Sequence, residues 1–285
     1  MTLLVIGGSG LLGGAVVLAA SEAGWPVVAT HGRPLADPDR PLDPRLDGTD
    51  WRPLDLAGGE ASVRALIRAI EPSAIVNCAY VQGGSDLGPV TRDAPGFLAA
   101  AATEVGAHLV QISTDVVFDG RKPPGEAYRE TDSPNPVHEY GVAKLHAERL
   151  VGAHAPDAAI VRTSLLLPGR YVDDVRDALS GRRPMTFFTD ELRSACRADD
   201  LARFLLWLAT DPKGRTVAGV VHAAGATVVS RFDLAKALAA ELGLDPAGVV
   251  GAAQPIGGPP RPANCALRTE RGLPGLPLPG VGEAG

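Results

Sequence analysis

A tyrosine and a lysine four residues apart, in Tyr140-Gly-Val-Ala-Lys144, are the side chains of this sequence best suited to moving a proton. At that spacing both project from one face of a helix, so the ammonium can stand close to the phenol. A free tyrosine titrates near ~10 and neither gives up nor takes a proton readily at neutral pH. A neighbouring cation stabilises the phenolate and lowers that value, which makes Tyr140 a candidate general acid or base. The pair lies downstream of an apolar run that ends in Ser113-Thr114-Asp115 and of a glycine-rich string at the start of the chain.

That string sits between two elements. Leu3-Leu4-Val5-Ile6 is a short apolar run that reads as a buried parallel strand, and a helical pattern starts near Leu11. Gly7, Gly8, Ser9 and Gly10 stand between them, with Gly13 one turn later. The spacing fits G-x-x-G-x-x-G from Gly7 and G-x-G-x-x-G from Gly8. Either register means a tight turn, a backbone that can approach a pyrophosphate, and close packing of helix on strand. The helix end adds N–H groups and a positive dipole end for phosphates. Gly7, Ser9, Gly10, Leu11, Leu12 and Gly13 are therefore the expected phosphate-side residues of a dinucleotide site. The alternative is a flexible turn in a chain with 34 glycines; the position between a first strand and a first helix favours the cofactor. A dinucleotide loop upstream of Tyr140 makes hydride transfer to or from a carbonyl the natural chemistry. The second strand runs into Ala29-Thr30-His31-Gly32-Arg33, with no acid before Asp37 to accept from an adenosine ribose. Arg33, with Thr30 or His31, suits a 2′-phosphate instead, so NADP(H) is the preferred cofactor and NAD(H) the second choice.

The elements that must position these groups alternate. Val27–Thr30, Ala74–Ala79, Leu109–Ser113 and Ala159–Thr163 read as short buried strands, and Leu11–Glu22, Glu60–Ile70, Ala94–Val105 and Tyr140–Ala153 as helices. Such alternation predicts βαβ units, hence an α/β fold with a Rossmann-type doubly wound parallel sheet. Arg33–Pro53 and Arg121–Pro136 are rich in proline and charge and read as irregular loops. Beyond residue 165 the pattern changes to helices over Asp199–Ala209 and Ser230–Leu242 with a strand near Val217–His222. The expected organisation is a cofactor-binding core over 1–165, a small C-terminal α/β substrate lobe over 166–271 (some of whose segments can return to the core), and an irregular tail over 272–285.

Composition narrows the partners. At 285 residues with a net charge of -6, the chain offers no basic footprint for nucleic acid. Its apolar stretches are broken by glycines and too short for a bilayer, and Leu11–Ala23 lacks the preceding positive charge of a secretory leader. Three distant cysteines and six scattered histidines suggest neither a disulfide framework nor a metal site. A cytoplasmic protein is expected; a homodimer is compatible with this reading.

The ordered series of strings resembles the extended short-chain dehydrogenase/reductase superfamily, and within it the dTDP-4-dehydrorhamnose reductase family. The strings are Ile75-Val76-Asn77-Cys78-Ala79, STDVVFDG over 113–120, Asn135-Pro136 with YGVAK from Tyr140, VRTSLL from Val161, Phe188-Thr189-Asp190-Glu191 with Asp199-Asp200-Leu201-Ala202, and RPANCAL from Arg261. The resemblance implies that Thr114 bonds the substrate carbonyl, Tyr140 protonates the nascent alkoxide, and Lys144 holds the nicotinamide ribose and tunes the tyrosine. It also implies that Asp55 and Leu56 flank the adenine, that Ala79 lines the cofactor cleft, and that Asp115 and Arg261 meet a nucleotide-sugar substrate, Arg261 at a phosphate. Departures touch the substrate side: Tyr80–Pro89 is short and glycine-rich, and Leu192–Ala198 lacks proline. Two alternatives stay open: another extended short-chain reductase or epimerase on a different carbonyl, and a non-catalytic NADP-binding subunit resembling the methionine adenosyltransferase β-subunit.

Overall fold

The computed structural model describes residues 1–35, 42–258 and 260–281. The strands are β1 (Leu3–Ile6), β2 (Val27–His31), β3 (Asp50–Pro53), β4 (Ala74–Asn77), β5 (His108–Thr114) and β6 (Ala159–Thr163), all but β3 formed by mainly apolar runs. They join the strand Gly219–His222 in one seven-stranded sheet of order Gly219–His222, β6, β5, β4, β1, β2, β3. β1 lies between β2 and β4 and is parallel to both, and β2–β3 and β4–β5 are parallel too. The direction of winding reverses between β1 and β4. A doubly wound sheet takes its dinucleotide in the crevice beyond the carboxyl ends of the strands at that reversal.

The helices that cross between these strands are α1 (Leu11–Glu22), α2 (Glu60–Ile70), α3 (Ala94–Val105) and α4 (Glu139–His154). Alternation along β1 sends Leu4 and Ile6 into a core with Ile75 of β4 and Leu109 of β5. Val63 and Ile67 of α2, Leu98 of α3 and Val151 of α4 close that core from one side of the sheet. On the outer side of α2, Arg64 meets Glu60 at 2.6 Å, so the helix separates its apolar and charged faces at the 3.6-residue period.

By compactness the chain divides into two units, each built from three segments. One holds Met1–Thr114, Glu139–Arg162 and Leu201–Val221, and so most of the sheet with α1 to α4. The other holds Asp115–His138, Thr163–Asp200 and His222–Gly285. Its core packs Tyr171, Val172 and Val175 of α5 (Arg170–Leu179) against Leu234, Ala235 and Leu238 of a helix over Arg231–Glu241. Ser230 caps that last helix, its Oγ accepting from the Asp233 N–H at 2.9 Å. The described part of the tail, 272–281, has no helix, and Leu278 bridges to Gly225.

Three features differ from the sequence expectation. Asp50–Pro53, expected within an irregular loop, is an edge strand in register with β2 from Val28↔Asp50 to His31↔Pro53. An edge strand needs no continuous apolar run and tolerates proline at its end, so periodicity alone misses it. Asp37 and its neighbours over 36–41, with 282–285, lie outside the described residues. Leu87–Asp93 forms a π-helical turn that starts inside the short glycine-rich stretch Tyr80–Pro89, and α5 adds a helix that the periodicity beyond residue 165 does not mark.

Candidate functional site

The glycine loop is shaped by contacts that leave no room for side chains. Gly7 has φ +77°, and a Cβ there would lie 2.9 Å from the backbone of Ala79, just past β4. At Gly13 a Cβ would sit 2.1 Å from the Gly7 oxygen, so α1 packs against the loop only because the residue is glycine. The Gly10 N–H donates to the Gly7 oxygen at 3.0 Å, and Gly10 is the N-cap of α1, with no side-chain cap. These three positions correspond to the G-x-x-G-x-x-G register. The first N–H groups of α1, at Leu11, Leu12 and Gly13, have no carbonyl to reach within the helix and point out of its amino end. Glycine-only contacts and an uncapped helix end fit a dinucleotide pyrophosphate.

The residues read as phosphate-side at the end of β2 take different parts. Thr30 is buried, and its Oγ1 accepts from the Gly7 N–H at 3.0 Å, so it braces the loop. His31 holds the Arg33 carbonyl through Nδ1 at 2.8 Å and lies edge-on to Trp51. The Arg33 guanidinium donates to the Ser9 oxygen at 3.3 Å, which puts this cation beside the glycine loop. Asp55 accepts from the Ala57 N–H at 2.9 Å as the cap of a short turn, and the Leu56 side chain belongs to the core.

Further along the same carboxyl edge, Thr114 ends β5 and Lys144 lies one turn into α4, both buried. The Lys144 Nζ donates to the Ile112 oxygen at 3.1 Å and sits 6.0 Å from the centre of the Tyr140 ring. A second ring, Tyr80, is 5.3 Å from the same Nζ and 5.9 Å from Tyr140, so the ammonium is covered by two aromatic faces. Burial pulls Lys144 down to about 8 from its ordinary 10.5, a fall that Cys78 and Glu148 oppose. Burial also raises Cys78 to about 12, against the pull of Lys144, so the thiol stays protonated at neutral pH. A hydrogen-bonded chain braces the lysine from behind. The Ala79 N–H donates to Asn77 Oδ1 (3.1 Å), Asn77 Nδ2 to Gln111 Oε1 (2.8 Å), and Gln111 Nε2 to the Ile112 oxygen that Lys144 also uses (2.8 Å). One turn beyond Lys144, Glu148 accepts from Arg162 Nε at 2.9 Å and Nη2 at 2.7 Å, and from Ser113 Oγ at 2.5 Å.

In the second unit, Asp115 Oδ2 accepts from Ser164 Oγ at 2.6 Å and stands 3.7 Å from Arg193 Nε. Arg193 is buried, bonds Glu191 Oε1 at 3.0 Å, and reaches the carbonyls of Leu192, Pro262 and Ala263. Arg261 is half exposed; its guanidinium stacks 5.5 Å over Phe188, with Nη1 4.0 Å from Glu191 Oε2. Glu191 thus collects the guanidinium groups of Arg193, Arg261 and Arg231, the last at 3.4 Å.

Against known proteins, the family described as RmlD substrate binding domain matches residues 1–273. The chain belongs to this family. A dTDP-4-dehydrorhamnose reductase of Mycobacterium tuberculosis strain CDC 1551 / Oshkosh is 32% identical over 285 aligned residues, covering 94% of this chain and 85% of that protein. The β-subunit of methionine adenosyltransferase 2 from Danio rerio is 28% identical and covers 94% and 83%. Among solved structures, a dTDP-4-dehydrorhamnose reductase from Clostridium acetobutylicum superposes with a TM-score of 0.76 at 25% identity, covering 94% of this chain and 90% of that one. As a member of the RmlD family at this identity to a reductase, the chain is by class an NAD(P)-dependent oxidoreductase with the doubly wound fold.

Sequence reading missed four residues around Lys144. Tyr80 and Cys78 follow β4 and meet the lysine only because β4 and β5 are neighbours in the sheet. Glu148 and Arg162 left a fainter trace: an acid four residues after Lys144, and an arginine inside the apolar strand Ala159–Thr163.

Proposed function

We propose that this protein is an NADPH-dependent reductase of a 4-keto-6-deoxy nucleotide sugar of the dTDP-4-dehydrorhamnose type. The observation that carries this reading is the buried Lys144 held against Tyr140 on the strand edge that also bears the glycine loop. In this reading Gly7, Gly10 and Gly13 with the amino end of α1 take the pyrophosphate, Arg33 meets the 2′-phosphate, and Ala79 lines the nicotinamide side. The bound cofactor supplies the hydride. Thr114 donates a hydrogen bond to the carbonyl oxygen, and Tyr140 delivers the proton as negative charge develops there. The Lys144 ammonium keeps a positive charge beside the phenol and bonds the ribose. Arg261, with one side stacked on Phe188, is assigned to a substrate phosphate, where a planar guanidinium can bond two oxygens at once. Asp115 orders the segment after Thr114 through Ser164 and Arg193 and stands as the second substrate-side residue.

The test is NADPH oxidation followed by absorbance with dTDP-4-keto-6-deoxyglucose and its 3,5-epimer, for the wild type and Tyr140→Phe. The expected result is turnover that falls by about a hundredfold or more in the variant, in line with the usual contribution of a positioned acid, with NADPH affinity kept. Tight NADPH binding without turnover of either sugar would refute the reading. That outcome would favour a regulatory subunit, the role for which the resemblance to the Danio rerio β-subunit speaks.

A further inference from the structure

We infer that Glu148 and Arg162 are positioning residues for Lys144: a buried, mutually neutralising pair one helical turn beyond the lysine that lets its ammonium stay charged beneath the two tyrosine rings. The inference deepens the proposed function, in that it takes Lys144 as the cation of the proton-delivering site. Lys144 faces Cys78 from the end of β4, Tyr80 from the following loop, the Ile112 carbonyl of β5, and Tyr140 and Glu148 from its own helix. Behind Glu148 stands Arg162 of β6. Two basic side chains, Lys144 and Arg162, thus stand on either side of the Glu148 carboxylate among the described residues. Arg162 and Glu148 are 4% and 6% exposed, and their 2.7 Å contact leaves little water to screen either charge.

A guanidinium near an ammonium in such a medium disfavours the second charge. Glu148 cancels it by taking both Arg162 Nε and Nη2, and its Oε1 also accepts from Ser113, the residue before Thr114. One carboxylate thereby fixes α4 against the strand that carries Thr114 and removes the field of Arg162 from Lys144. A structural tie alone would not call for charge here, because a well-packed apolar pair usually holds a buried site as firmly as an ion pair does.

The chain has four lysines, Lys122, Lys144, Lys213 and Lys236, so ¹³C-lysine labelling gives few side-chain resonances, and Lys144→Arg identifies the one that matters. Their pH titration needs no substrate. In Glu148→Gln, which removes the carboxylate that bonds Arg162 and supports the Lys144 charge, the Lys144 midpoint is expected to fall by about one pH unit or more, the usual size of a charge effect at this range. In Arg162→Met, which leaves Glu148 as an unopposed anion, it is expected to rise. The double variant Glu148→Gln/Arg162→Met is expected to return close to the wild type. Where turnover is measured, the alkaline limb of its pH profile moves with these midpoints. Shifts in the same direction in both single variants, or no shift in either, would overturn the inference, since loosened packing would produce the first and a purely structural pair the second. If Glu148→Gln does not fold, the sign of the Arg162→Met shift decides alone. A moving lysine midpoint in a protein that turns over no keto-sugar would count against the reductase reading and not against this pair.

Discussion

Replacing Lys144 by methionine should make the folded protein more stable while abolishing its chemistry. Lys144 is 3% exposed, and burial brings its pKa from 10.5 to about 8. A fall of about 2.5, at ~1.36 kcal/mol for each pKa unit, puts the cost of folding around the charged amine at about 3 kcal/mol. The folded value lies below the unfolded one, so the sign is that of a penalty on the charged form. Below about pH 8 both states carry the ammonium and the penalty is present in full. Between about 8 and 10.5 the unfolded chain binds more protons than the folded one, and stability rises with pH. Methionine fills similar space without charge, and the Ile112 oxygen keeps its 2.8 Å hydrogen bond from Gln111. The expected gain near neutral pH is about 2–3 kcal/mol. With roughly 2.1 cal/mol/K of unfolding entropy per residue, that is a rise in melting temperature of roughly 3–5 °C. Urea titrations of wild type and Lys144→Met without cofactor, at about pH 7 and about pH 10, measure it; most of the difference should vanish at the higher pH. A variant less stable than wild type near neutrality, or a gap that ignores pH, would refute the reasoning.

Two further substitutions test the cofactor side. Gly13→Ala puts a Cβ 2.1 Å from the Gly7 oxygen, so either the loop or α1 must shift; the strain of overpacking is about 1–3 kcal/mol, and NADPH affinity should fall about tenfold or more with the far-UV spectrum unchanged. Unaltered affinity in a titration of NADPH fluorescence would argue against the loop as the phosphate cradle. Arg33→Ala should weaken NADPH by about 1.5–3 kcal/mol, the range for a charged hydrogen bond, and leave NADH where it was. Equal losses for both nucleotides would remove Arg33 from the 2′-phosphate.

Much of the fold was legible because its early elements are local. α1, α2 and α3 begin and end at the residues the apolar period marks, and β1, β2, β4 and β5 each lie within a residue or two of the expected strand. β3 was not legible, since the edge strand Asp-Trp-Arg-Pro is exposed except at the half-buried Trp51 and shows no apolar run. In the site, Tyr140 and Lys144 could be read because a helix makes residues at i and i+4 neighbours whatever the rest of the fold does. Tyr80 and Cys78 could not, since their approach to Lys144 depends on strand order. Thr30 illustrates a different limit: its place near the end of β2 suggested a phosphate contact, but its hydroxyl turns inward to Gly7. Spacing locates a side chain on an element and does not say which way a buried hydroxyl finds its partner.

The stability cost of Lys144 also bears on the choice between a reductase and a binding subunit. A protein that only holds a nucleotide can bond ribose hydroxyls with an uncharged amide, which burial penalises far less than an ammonium. Here a charge is kept at 3% exposure, covered by two tyrosine rings, with a second cation nearby that requires its own carboxylate. Burying those charges costs stability, and in the proposed reading that cost serves a phenol that parts with its proton. The coexistence of Lys144, Glu148 and Arg162 with Tyr140 and the glycine loop favours the proposed reductase reading over the binding one.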